Sequence, residues 1–108
     1  DVVSSPAFDA SGLAAAMDGS EPPFLIDVRQ TSEFEAGHVP GAHHLMAGDL
    51  PDRLAELPRD RQIATICTSG FRSSIAASLL RGAGFSRVAW VAGGVPDWQA
   101  AGLPVDRG

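Results

Sequence analysis

Short apolar runs alternate along this chain with stretches whose apolar residues recur at helical spacing. FLIDV (residues 24–28) is a compact run of mainly β-favouring residues behind the chain-breaking Glu21-Pro22-Pro23, which predicts a buried strand. AHHLM (42–46), QIATIC (62–67) and RVAWV (87–91) are further strand candidates of five or six residues. Between these runs the period changes. FDASGLAAAMD (8–18) sets Leu13, Ala14 and Met17 on one face, with Asp9 or Ser11 placed to cap a helix. TSEFEAG (31–37) makes a turn or two of helix stopped by Gly37. DLPDRLAELP (49–58) aligns Leu50, Leu54 and Leu57 and ends at Pro58. SSIAASLLRGAGF (73–85) is the clearest helix, its face made by Ile75, Ala76, Leu79 and Leu80 and its end by Gly82 or Gly84. Gly93-Gly94 turns the chain into a last short helix, VPDWQAAG (95–102). Strands alternating with helices predict an α/β domain of three layers, with parallel strands joined by helical crossovers. In such sheets the reactive groups gather beyond the carboxyl ends of the strands. Cys67 falls at one of those ends.

Composition narrows the classes. A chain of 108 residues, 44% hydrophobic and 19% charged, is read as one globular domain over residues 1–108. A net charge of −5 with eight scattered arginines and no lysine argues against nucleic acid and against a polybasic membrane anchor. The apolar runs are too short to span a bilayer or act as a signal peptide. The one cysteine excludes an internal disulfide, and a thiol that must stay usable suits a reducing, cytoplasmic setting. The start at Asp1 without a methionine raises the expectation of a module taken from a longer protein.

The cysteine sits in ICTSGFRSS (66–74), where a strand must turn tightly into a helix. Such a loop aims successive backbone N–H groups inward. Gly70 allows positive φ, Thr68, Ser69, Ser73 and Ser74 add hydroxyls, and the helix brings its unpaired amides and dipole. The result is an anion nest that lowers the thiol pKa and steadies an anionic sulfur without a metal. The reading is of an ionised, exposed thiolate; against it stands the ordinary fate of a free cysteine as a small buried hydrophobe.

Three blocks carry a resemblance: the loop CTSGFRS, LIDVRQTSEFEAGHVPGA (25–42) and VAGGVPDWQAAGLPV (91–105). Together and in that family's order they resemble the rhodanese, or sulfurtransferase, domain family over nearly the whole chain. The resemblance implies a central, mainly parallel sheet of about five strands with helices on both faces. It also implies Cys67 as nucleophile, a cysteine-persulfide intermediate, and no metal or organic cofactor. Thr68, Ser69, Gly70, Phe71, Arg72 and Ser73 would form the substrate loop. The expected donor is thiosulfate or a low-molecular-weight persulfide such as glutathione persulfide, and the acceptor a thiol or cyanide. Four residues separate Cys67 from Arg72. Phosphatases of related fold place one more there to admit a tetrahedral phosphate, so a phosphatase or arsenate reductase is disfavoured. Arg72 is also the loop's one cation, which tilts the expectation toward an organic persulfide or a protein donor.

Other roles stay open at this level. Arg72 either faces substrate or pairs with Asp27 or Glu33 to brace the loop. Asp27 and Arg29 read as an ion pair fixing neighbouring loops, and His38 as a ring bonded to backbone in a tight turn. His43 and His44 alternate across a strand, so at most one points inward, and no zinc-ligand spacing is present. Trp90 and Trp98 read as packing residues. The block at 45–61 resembles the linker of rhodanese domains attached to metallo-β-lactamase-like proteins of sulfide metabolism. A binding or regulatory module joined to such an enzyme, or a separate partner of that kind, is therefore the rival reading.

Overall fold

The computed structural model describes residues 6–108. Its core is a single sheet of five strands, all parallel: β1 (Ala7–Phe8), β2 (Phe24–Asp27), β3 (His43–His44), β4 (Ile63–Ile66) and β5 (Val88–Val91). The spatial order is β1-β5-β4-β2-β3. Three helices, α1 (Ala10–Met17), α2 (Thr31–Ala36) and α3 (Phe71–Gly82), and a 3-10 segment (Ala47–Glu56) make the connections, and α4 (Gly94–Ala100) follows the last strand. The expected three-layer α/β architecture is what the chain adopts. Among the described residues, no helix is long and apolar enough to cross a membrane.

Two cores lie on the two faces of the sheet. Successive strand residues point opposite ways, so Leu25 and Ile26 enter different cores, as do Ile66 and Cys67. Leu13 of α1 with Val95 and Trp98 of α4 covers one face, against Leu25, Ala64, Ile66, Ala89 and Val91. On the other face α3 lays Ala76, Ala77 and Leu80, and the 3-10 segment lays Leu50, against Ile26, Ile63 and Val88. Because both faces are covered, the central strands read as continuous apolar runs instead of alternating ones.

Several expected boundaries move, each for a physical reason. Phe8 was expected to open a helix but belongs to β1, where Ala92 N donates to Phe8 O at 3.0 Å. Asp9 is then the cap of α1, its carboxylate accepting from Gly12 N at 2.7 Å. In place of the expected 49–58 helix the chain forms the kinked 3-10 segment Ala47–Glu56, because Pro51 has no N–H for a regular α-helical ladder and Arg53 leaves helical geometry. α3 starts two residues before the expected Ser73: Gly70 is its cap, and Ser74 N donates to Gly70 O at 3.0 Å.

That strand order has one consequence for function. β2 leads outward to β3, while β4 leads the other way to β5, so the chain diverges between two neighbouring parallel strands. Ligand sites of open α/β sheets form at such switch points, outside the carboxyl ends. Cys67 follows β4 at this divergence, where Val28 N donates to Ile66 O at 3.0 Å.

Candidate active site

The site is built from backbone first. After β4 the chain turns through Thr68 and Ser69 to Gly70, whose φ of 92° lies in the left-handed region. A side chain there would be strained and would crowd the Trp90 ring, so Trp90 is the surface on which the turn rests. The turn brings Gly70 N to 3.1 Å and Ser73 N to 3.4 Å from Cys67 Sγ. Ser73 Oγ lies 3.5 Å from the same sulfur and 3.1 Å from Gly70 O. Thr65 and Cys67 share one face of the strand, and Thr65 Oγ1 donates to Ser73 O at 2.7 Å. One strand therefore fixes the start of α3 at two points, and those amides have little freedom to turn away. A second latch comes from α4: Val95 N donates to Cys67 O at 2.9 Å, with Gly94 packed directly against that carbonyl.

The side chain of Cys67 is 0% exposed, which corrects the expectation of an exposed thiol. The reason is the cradle itself, which closes round the sulfur on the α3 side of the sheet. Burial alone pushes the thiol pKa up. Hydrogen bonding with the Ser73 side chain and from the Ser73, Gly70 and Ser69 amides outweighs it and holds the thiol below its ordinary range. The result is a thiolate favoured by donors and shielded from solvent. Ser73→Ala removes the side-chain partner of the sulfur and should raise the titration midpoint. As the chain has a single cysteine, thiolate ultraviolet absorbance against pH reports Cys67 alone. An unmoved midpoint would remove the hydroxyl from this account.

Arg72 takes the bracing alternative. Its guanidinium meets Glu33 in a bidentate pair, with Nη1 to Oε1 at 3.0 Å and Nη2 to Oε2 at 3.1 Å. Thr68 Oγ1 donates to the same carboxylate at 3.1 Å. This network ties the cysteine loop to α2 across the divergence of β2 and β4. The Arg72 hydrogen bonds outweigh burial and, with the Gln30 amide and Thr68, lower the Glu33 pKa from 4.5 to about 2. A carboxylate lowered in this way stabilises the fold at pH above about 4.5, and the contribution is lost as pH falls through about 2. Both partners are part-exposed, so water screens the pair to about 1 kcal/mol or less.

Asp27 is not available to Arg72, because Arg29 already holds it. Arg29 Nε and Nη2 reach the Asp27 carboxylate at 2.9 and 2.8 Å, and Nη2 also donates to Gly37 O at 2.8 Å. The buried pair therefore pins the end of α2 beside the cysteine loop. His38 is used elsewhere: its Nδ1 lies 2.8 Å from Phe34 O, its ring stacks on Phe34, and its backbone pairs with Asp106. The structure thus gathers Cys67, Gly70 and Ser73 round the sulfur, and Glu33, Thr68 and Arg72 in a neighbouring network. Val95 is the contributor that sequence reasoning passed over. Its backbone role leaves no side-chain signal beyond the Gly93-Gly94 turn before it.

A cleft of about 260 Å³ borders the loop, with Arg29, Glu33, Thr68 and Val95 among its walls. A larger one, about 630 Å³, lies at the opposite end of the sheet among residues that precede β2, β3 and β4. Size does not favour the larger cleft as the reaction site, because the polarised thiol is at the other end.

Comparison with known proteins agrees with this geometry. The family model for the rhodanese-like domain matches residues 9–101. The chain belongs to the rhodanese family. A sulfurtransferase of Allochromatium vinosum is 34% identical over 97 residues, covering 90% of this chain and 91% of that protein. A thiosulfate sulfurtransferase, GlpE, of Pseudomonas savastanoi pv. phaseolicola is 37% identical over 70% of this chain and 72% of its own length. Among solved structures, a rhodanese-related protein of Thermoplasma volcanium superposes with a TM-score of 0.85 at 27% identity, covering 94% of this chain and 97% of that one.

Proposed function

We propose that this rhodanese domain carries sulfur on Cys67, accepting it from a small persulfide or thiosulfate and passing it to a thiol or cyanide. The observation that carries the reading is the cradle: two backbone amides directed at a single sulfur, with the Ser73 side chain in hydrogen-bond contact beside them, together lowering its pKa. In the first half-reaction the Cys67 thiolate attacks the outer sulfur of the donor. A new S–S bond forms at Cys67, the donor's own S–S bond breaks, and its electron pair leaves on sulfite or on the organic thiolate. The cradle then holds Cys67–S–S⁻, an anion of the kind its donors favour. An acceptor thiolate next attacks the outer sulfur, and the bonding pair returns to Cys67. No external oxidant or reductant enters, and two half-reactions through one covalent form give ping-pong kinetics.

Between the two donor classes, the ion pairs favour the organic persulfide. A dianionic thiosulfate needs positive charge, yet Arg72 is held by Glu33 and Arg29 by Asp27. The intact mass should therefore gain one sulfur, about 32 Da, faster from glutathione persulfide than from thiosulfate. Glu33→Gln releases Arg72 and should narrow that gap by raising the thiosulfate rate. Faster loading from thiosulfate in the parent protein would reverse the donor assignment. No loading from either, on folded and reduced protein, would leave only a binding module.

A further inference from the structure

Two large hydrophobic side chains stand exposed among the described residues, and both belong to the start of α3. Phe71 is 70% exposed and Ile75 53%. They are four positions apart, one helical turn, and so form one continuous patch. Phe71 lies between Gly70 and Arg72, within the loop that holds the sulfur. The surrounding chain carries little charge: from Ile63 to Leu80 the only charged residue is Arg72, which Glu33 holds. The other exposed residues of this stretch, Ser69 and Ser78, are small and neutral. Beyond the patch the same end of the molecule is acidic. Asp49 and Asp97 stand in the first turns of the helical segments that follow β3 and β5, Glu33 after β2 is paired with Arg72, and the first turn of α3 has no acid.

We propose that Phe71 and Ile75 are the docking rim for a polypeptide sulfur acceptor whose cysteine is flanked by apolar and basic side chains. The proposal rests on the sulfurtransferase reading and names the partner of its second half-reaction. Three observations favour a polypeptide over a small thiol. Small molecules are held in concave pockets, whereas Phe71 and Ile75 project from a helix. Cys67 is fully buried, so an acceptor must bring its thiol to the outer sulfur at the mouth of the loop. Phe71 stands exposed next to Gly70, whose amide bonds the sulfur, with Ile75 one turn on, and exposed aromatics anchor interfaces of this kind. The acidic surround supplies the charge preference. Transfer is balanced: the persulfide anion takes up a proton, the acceptor thiolate attacks the outer sulfur of Cys67–S–SH, the S–S bond breaks with its electron pair returning to Cys67 as thiolate, and the acceptor leaves as R–S–SH.

The test uses protein loaded with glutathione persulfide and four acceptors: the peptides KLCFK and KSCSK, and the small thiols 2-phenylethanethiol and 2-mercaptoethanol. Each transfer rate is referred to discharge by cyanide. KLCFK should outrun KSCSK by about tenfold, and that ratio should collapse in Phe71→Ser and Ile75→Ser, as for a lost interface anchor. Equal rates for the two peptides, or a ratio unchanged in both variants, would overturn the rim. A preference of the same size for 2-phenylethanethiol over 2-mercaptoethanol would overturn the polypeptide assignment, making the rim a selector of apolar thiols. A dimer in sedimentation that Ile75→Ser dissociates would assign the patch to a second copy of the chain instead. Protein that never takes up sulfur would remove the sulfurtransferase reading and the rim with it. Loading followed by indiscriminate transfer would remove the rim alone.

Discussion

Cys67→Ser takes up no sulfur from glutathione persulfide or thiosulfate, yet remains folded. Both halves of this expected result follow from how the site is made. The chain has one cysteine, so no second thiol can substitute for it. A serine hydroxyl is a poor nucleophile toward sulfane sulfur, because nothing here lowers its pKa into the range where an alkoxide forms. The donors of the cradle are mainly main-chain amides held by Gly70, Ser73 and the Thr65 hydroxyl, and they outlast the substitution. They can bond the serine oxygen in place of the sulfur, so the polar group is not buried unsatisfied and the stability cost should be about 1 kcal/mol. Intact mass with each donor, beside a thermal melt, checks the two halves. A mass gain of about 32 Da on the serine variant would place the acceptor atom elsewhere and end the Cys67 assignment.

How much of this could be read from the chain alone depended on whether the deciding interaction was local. The strand at Ile63–Ile66 and the cysteine at its end follow from a short apolar run and the turn residues behind it, and these stand as expected. β1 is different. Two residues, Ala7 and Phe8, count as a strand only because β5, far along the chain, offers them hydrogen bonds, and no local pattern announces that. The 3-10 segment keeps its leucine face, but Pro51 costs it regular α geometry, a cue present in the sequence and outweighed there by the spacing. At the site, the alternatives for Arg72 were legible and the choice was not. Asp27 and Glu33 are both carboxylates within reach on the β2 side. What decides is that Arg29, two residues from Asp27, already saturates it. The depth of Cys67 was misread for a related reason. A loop that must aim amides at a sulfur also encloses it, and enclosure depends on the start of α3, fixed by Gly70 and Thr65 together.

Gly94→Ala should be the most damaging single-methyl change in the molecule for stability, more so than most core truncations. The added Cβ would fall on the carbonyl oxygen of Cys67 and crowd that of Thr68, and Gly94 itself has a φ of 57°. The backbone term alone costs an alanine about 1 kcal/mol, as for any side chain held in the left-handed region. The steric term is larger because neither side can yield cheaply. Cys67 follows the central strand of the sheet, and Gly94 opens α4, whose Val95 and Trp98 are buried in the core beneath. Relief would separate α4 from the cysteine loop and break the Val95 N to Cys67 O hydrogen bond. Together these should cost about 3–5 kcal/mol, a large part of the 5–15 kcal/mol that holds a domain of this size. At about 4–8 °C per kcal/mol for a chain near 100 residues, the thermal midpoint should fall by well over 10 °C. Sulfur uptake below that midpoint should also slow, because the loop that carries the Gly70 and Ser73 amides loses its latch. Gly102→Ala is the control: its φ of 78° carries the same backbone penalty, but an added Cβ there meets nothing within 4 Å. If the two variants melt together, the latch between α4 and the cysteine loop contributes nothing to the fold beyond the strain of an alanine at positive φ.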